Sequence, residues 1–228
     1  MTTRVINNVF SLDTYRNIIQ EATHNGYVIQ TVQQFIDDGC KSEDSLVLRH
    51  DLDTKPRTLF NMLNVELECG VRSTIYARVT ANEYNLLGYT VLPKLLAAQE
   101  EGFEIGLHTN FLEYAEINGH DPLYILELEN SIMRSFFNVT GIAPHRDFNY
   151  LHNSLPFIEN NWDRFKKLGY KYQAYDDRIM NNTVYVNENF SPHLCWARCP
   201  FEAIAEHKSV YLSTHPHWWY DKHPFEEQ

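Results

Sequence analysis

Leu46-Val-Leu-Arg-His50 is a short apolar run that passes into Asp51-Leu-Asp-Thr-Lys-Pro56, and the pattern beyond that proline decides how the chain folds. Pro56 stands where the first turn of a helix tolerates a missing N–H, and helical spacing continues to about Glu68 before Cys69-Gly70 stops it. Ser73-Thr-Ile-Tyr-Ala77, rich in β-branched and aromatic residues, then reads as a second strand. Two strands joined by a helix of this length make a β-α-β unit, whose strands run parallel.

The unit repeats downstream. A helix over Thr90 to Glu101 stops at Gly102 and leads to Phe103-Glu-Ile-Gly-Leu107, which runs into His108. A longer helix spans about Pro122 to Phe137. After Gly141 a short segment ends in Pro144-His-Arg146, and a helix over Leu155 to Leu168 stops at Gly169 before Tyr170-Lys-Tyr-Gln-Ala174. Val184-Tyr-Val186 and Ser209-Val-Tyr-Leu-Ser213 are the last expected strands.

Upstream, Tyr15, Ile18, Ile19 and Ala22 recur at helical spacing before Gly26, and Val32 to Ile36 suggests a second short helix before Gly39. The expectation is a single domain over residues 1–228, with a helical N-terminal extension (1–44) and an α/β barrel (45–219) of mainly parallel strands. In such a sheet, chemistry gathers at the strands' carboxyl ends.

Composition removes several function classes. With 19 Lys and Arg against 30 Asp and Glu the net charge is −11, a field that repels polyanions, so no nucleic-acid partner is expected. No apolar run reaches the roughly eighteen residues of a membrane span. The opening Met1-Thr-Thr-Arg-Val lacks the pattern of an export signal, which points to a cytoplasmic address and to Cys40, Cys69, Cys195 and Cys199 as thiols. The Cys195-Trp-Ala-Arg-Cys199 spacing fits neither a redox pair nor half of a zinc ribbon.

The polar residues lie where the barrel would collect them: Arg49-His-Asp-Leu-Asp53, then His108, then His145-Arg146, then His215-Pro-His217. In an extended segment residues i and i+2 share a face, so Asp51 and Asp53 point inward together while His50 and Leu52 point away. Two neighbouring carboxylates repel unless a cation or a proton lies between them, which suggests a metal bound by one and proton transfer by the other. The plainer reading is that Asp53 caps the helix at Pro56 and Asp51 pairs with an arginine. His108 can offer a neutral imidazole nitrogen to a metal, or be a hydrogen-bonded core residue.

In this order, Leu48-Arg-His-Asp-Leu-Asp53, Phe103-Glu-Ile-Gly-Leu-His108, Pro144-His-Arg146 and Leu212-Ser-Thr-His-Pro-His-Trp-Trp219 resemble the polysaccharide deacetylase (NodB-homology) superfamily. The closest likeness is to its short variety, which opens on Arg-His-Asp-x-Asp and accompanies surface-polysaccharide biosynthesis. The resemblance implies a distorted (β/α) barrel of about seven strands. It also implies metal-dependent hydrolysis of an N-acyl group, typically acetyl, on an amino sugar or glycan precursor, with zinc as the expected cation. It assigns Asp51 as general base, Asp53 and His108 as metal ligands, His215 as general acid and Arg146 as the arginine that orients the base.

The family's second ligand histidine would fall at Leu112, and leucine cannot bind zinc. His145 is the candidate third ligand, with Asn110, His217 and His50 behind it. His145 can also be read as packing that orients Arg146. Trp196, Trp218 and His217 are candidates to line a sugar site, although large aromatics are also core residues. Two alternatives stay open: a catalytically silent carbohydrate-binding barrel, motivated by Leu112, and a deacylase or deformylase acting on another C–N bond.

Overall fold

A computed structural model of the chain describes residues 10–40, 44–145, 154–189 and 195–221. In chain order its elements begin with α1 (Leu12–His24), β1 (Val28–Gln30), α2 (Val32–Asp37), β2 (Ser45–Leu52), α3 (Pro56–Cys69), β3 (Thr74–Ala77) and α4 (Leu92–Glu100). There follow β4 (Glu104–Thr109), α5 (Phe111–Asn118), α6 (Pro122–Arg134), β5 (Gly141–Pro144), α7 (Ser154–Asn160), α8 (Trp162–Lys167) and β6 (Tyr172–Gln173). The last are α9 (Asp177–Met180), β7 (Val184–Asn189), β8 (Cys195–Trp196), α10 (Pro200–Ala205) and β9 (Val210–Thr214), with a 3₁₀ turn at Pro216–Trp218. Among the described residues, no helix is long and apolar enough to cross a membrane.

All eight residues of β2 are buried, and its two faces serve different layers. Leu46 and Leu48 pack outward on Ile18 and Ile19 of α1 and on Met62 and Val65 of α3. Leu52 joins a second outer cluster with Leu59, Ile75, Ile105 and Leu107. Val47, on the opposite face, meets Tyr76, Tyr172 and Tyr211 in an interior cluster. Each outward methyl-bearing side chain removed from water contributes roughly 1.5–3 kcal/mol, which is what holds α1 and α3 against the strand.

The strands run in the order β6-β5-β4-β3-β2-β9-β7-β8, parallel except for the β7–β8 pair. Every crossover here is helical, and parallel neighbours require such a connection. Laid flat, β6 and β7 would stand six strand spacings apart, about 29 Å. Instead Tyr175, just after β6, lies with its ring centroid 6.0 Å from that of Tyr185 in β7. The sheet is curled into a half-barrel with a tyrosine-lined interior. Among the described residues, no strand pairing joins β6 to β7 or β8.

Several expectations need correction. The segment 1–44 is not a purely helical extension: Val28–Gln30 forms β1, which pairs with the first half of β2 while β3 takes the second half of the same edge. Three residues are too few for an alternating pattern to show in the sequence. The single helix expected over Leu155 to Leu168 is two, α7 and α8, separated at Asn161, whose φ of −119° is not helical. The helices α5, α9 and α10 and the strand β8 are additions that the sequence pattern does not announce. In place of a barrel of about seven strands, the described residues form a nine-stranded curled half-barrel, and no pairing among them closes it.

Candidate metal centre

Parallel strands bring their carboxyl ends to one side, and four of them meet there. Register places Asp51 of β2 beside Tyr76 of β3, and Ala77 of β3 beside Leu107 of β4; His108 of β4 then pairs with Ala143 of β5. On the other edge of β2, His50 pairs with Thr214 of β9, so the next positions, Asp51 and His215, are neighbours. After Leu52 the backbone tightens, with Asp53 N–H donating to Asp51 C=O at 3.1 Å. Asp53 does not cap α3: that helix begins after Lys55, a non-glycine residue in the left-handed region at φ 46°, with no side-chain cap.

Asp53, His108 and His145 converge, with one potential ligand atom of each lying within 4.8 Å of the others. Asp53 Oδ1 stands 3.2 Å from His108 Nε2 and 3.3 Å from His145 Nε2. His145 is set by its backbone, whose N–H donates to Thr109 C=O at 2.7 Å, and its ring lies edge-on to His108 at 4.9 Å between centroids.

The tautomer of His108 is fixed by its other nitrogen. Nδ1 lies 3.0 Å from Ala143 C=O, and a carbonyl can only accept, so Nδ1 carries the proton. In the neutral ring Nε2 is then a bare lone pair facing a carboxylate oxygen that has no hydrogen-bond donor of its own. Acceptors packed this closely need a cation or an added proton among them. Metal–ligand bonds of about 2.0–2.1 Å in a tetrahedron give ligand separations near 3.3 Å, which the two measured distances match. A carbonyl holding the far nitrogen is also the usual support of a ligating histidine. The trio could therefore hold a metal ion, although Arg78 Nη1 also stands 3.4 Å from His145 Nε2.

Asp51 lies behind this trio, its Oδ2 3.7 Å from His108 Nε2. Arg49 grips it from two residues upstream, Nε to Oδ1 and Nη2 to Oδ2, both at 2.7 Å. The guanidinium is itself buried, with its carbon 5.1 Å from the Tyr76 ring and 4.8 Å from the Tyr175 ring, and Nη1 reaching Tyr211 Oη at 3.3 Å. Burial pushes the Asp51 carboxyl up, but Arg49 and His108 more than reverse this and hold it below the usual range. Burial acts on Asp53 in the same direction; with His108, His145 and His215 protonated, the His108 hydrogen bond and the three charges overcome it and leave Asp53 far below that range.

Glu188 of β7 holds the opposite wall. Its Oε1 accepts from His215 N–H at 3.0 Å and from Trp219 Nε1 at 2.6 Å, and its Oε2 lies 3.1 Å from His215 Nδ1. Burial lowers the affinity of His215 for its proton, but the Glu188 contact, with Asp51 and Asp53 beyond it, raises it to about 9. His217 moves the other way, lowered chiefly by burial.

Of the residues expected at the site, Asp51, Asp53, His108 and His145 are brought together, and His215 borders them. Arg146 lies outside the described residues; among those described, Arg49 pairs with Asp51. Leu112 packs against the outer core. His50 points away from the trio, and Asn110 contacts Arg78 and Glu113. Trp218 and His217 flank His215, with the Trp218 centroid 4.7 Å from that of His215 and 5.0 Å from that of His217. Trp196 packs in the core edge, 4.9 Å from Phe10 and 5.8 Å from Trp219 between centroids.

Glu188 and Arg49 are the residues that sequence reasoning does not assign. Arg49 has a signal, since i and i+2 share a face. Glu188 has none, because its partner is 27 residues away on another strand. Compared with family models, with curated proteins and with solved structures, the chain matches none of them.

Proposed function

We propose that this protein is a metal-dependent hydrolase that removes an N-acyl group, acetyl in the first instance, from an amino sugar or glycan precursor inside the cell, on a NodB-like barrel. The observation that carries the reading is the meeting of Asp53 Oδ1, His108 Nε2 and His145 Nε2, with the Asp51 carboxylate 3.7 Å from His108 Nε2. The four motifs that resemble polysaccharide deacetylases carry Asp51 and Asp53, His108, His145 and His215 in turn.

Asp53, His108 and His145 would hold the cation, which when bound supplies Lewis acidity toward an acyl oxygen and acidifies water. Asp51, kept ionised by Arg49, accepts the proton of the attacking water. Water adds to the amide carbon and the C–N bond then breaks. His215, protonated at neutral pH, gives its proton to the departing sugar nitrogen, so that an amine and a carboxylate leave. Trp218, half-buried beside His215, offers an aromatic face against which the apolar C–H face of a pyranose can stack. The silent-barrel alternative rests on Leu112, and His145 beside Asp53 and His108 would take the place that residue leaves open.

The test is metal content of protein purified without chelator, followed by release of acetate from N-acetylated amino sugars by the unaltered chain and by Asp51→Asn. About one zinc per chain, with turnover abolished by the substitution, supports the reading. Failure to bind any divalent ion under loading conditions removes it.

A further inference from the structure

Behind the site, on the outer face of β2, lies a fully buried polar network that the proposed chemistry does not use. His50 Nδ1 meets Thr214 Oγ1 at 2.6 Å and His50 Nε2 meets Glu66 Oε1 at 2.5 Å, both side chains of that ion pair having no exposure. Tyr15 of α1 donates to the same Glu66 oxygen at 2.6 Å. Thr214 Oγ1 also lies 3.3 Å from Arg49 C=O, and the hydroxyl can either donate to His50 Nδ1 or accept from it, according to the imidazole tautomer.

A buried pair of this kind is a poor stabiliser compared with apolar residues of the same volume; what it supplies is direction. The neighbours of the two joined residues give that direction a purpose. Asp51 comes after His50 on β2, His215 comes after Thr214 on β9, and His50 and Thr214 are the last paired positions of the two strands. We propose that His50 is a positioning residue: by tying Thr214 on one side and Glu66 on the other, it fixes the seam between β2 and β9 so that Asp51 and His215 keep one separation. The role rests on the reading of Asp51 as base and His215 as acid.

The test uses the full chain with Thr214→Val, Thr214→Ser and His50→Gln. Two quantities are measured: zinc-loaded turnover of N-acetylated amino sugars across pH, and the titration of the His215 ring tracked by NMR in the metal-free chain. His215 faces Glu188, Asp51, Asp53 and His217, and none of these is altered. Thr214→Val and His50→Gln are expected to lower kcat by roughly tenfold to a hundredfold with KM unchanged, and to shift the His215 titration by about half a unit or more. Thr214→Ser, which keeps the hydroxyl, restores both.

Unaltered kcat and unaltered titration in Thr214→Val overturn the proposal. Should Thr214→Val be too unstable to assay, His50→Leu/Glu66→Leu, which leaves no unpaired charge, takes its place with the same two outcomes. If the unaltered chain releases no acetate, the hydrolase reading fails on its own account. The His215 titration then decides the positioning role, a shift keeping it and no shift overturning it.

Discussion

Arg49 and Asp51, two residues apart on one strand, face each other through two parallel hydrogen bonds of 2.7 Å with neither side chain open to solvent. The bidentate fork suits a guanidinium and no other cationic side chain. Removing one partner strands the other charge in the interior, so Arg49→Leu is expected to cost about 3–5 kcal/mol in urea unfolding. Arg49→Leu/Asp51→Leu should recover most of that loss while remaining inactive, which separates the stability of the pair from its chemistry.

Zinc should stabilise the metal-free chain. At a hundredfold excess over its Kd a ligand that binds only the folded state adds about 2.7 kcal/mol. For a chain of 228 residues that corresponds to a rise in Tm of roughly 5–10 °C. His145→Ala should remove most of the rise, and Leu112→Ala, which touches only the outer core, should leave it in place. Thermal melts with and without zinc check both.

His215 makes stability depend on pH in a defined window. Its folded pKa of about 9 lies above the ordinary value near 6.5. Its contribution is therefore fully present below about 6.5 and is lost as pH rises through about 9. The loss is on the order of 3 kcal/mol in the metal-free chain. Glu188→Gln removes the charge that raises this group, and should flatten the alkaline fall in stability as well as move the alkaline limb of kcat toward neutral pH.

Gly106 lies two residues before His108, where a Cβ would come within 2.5 Å of the Tyr76 ring and 3.0 Å of Gly141 C=O. Gly106→Ala must push Tyr76 off its place beneath Arg49. Overpacking of this kind costs about 1–3 kcal/mol. Metal affinity should fall along with Tm, since the displaced ring supports the strands that carry Asp53 and His108; calorimetric zinc titration measures it.

Much of the fold is legible because local rules agree with the global arrangement. Pro56 opens α3, Gly70 closes it at φ 72°, and apolar residues on β2 mark the strand. The face shared by Asp51 and Asp53 comes from the period of two. His145 is reachable because it ends a strand adjacent to that of His108.

What is not legible depends on distances no local pattern encodes. Glu188 sits in Val184-Tyr-Val-Asn-Glu-Asn189, an edge-like run with nothing to separate it from an ordinary solvated carboxylate until β7 lies beside β9. Arg49 follows from the strand's own alternation, which places it on the same face as Asp51. Trp196, chemically suited to a sugar, is taken by Phe10 and Trp219.

Since His145 comes from the end of β5 and Leu112 from α5, the trio draws on the sheet alone. The helix is thereby released from chemical duty. Its sequence can drift, or the segment can be exchanged for another of equal length, provided the leucine's grip on the neighbouring oily layer survives the swap.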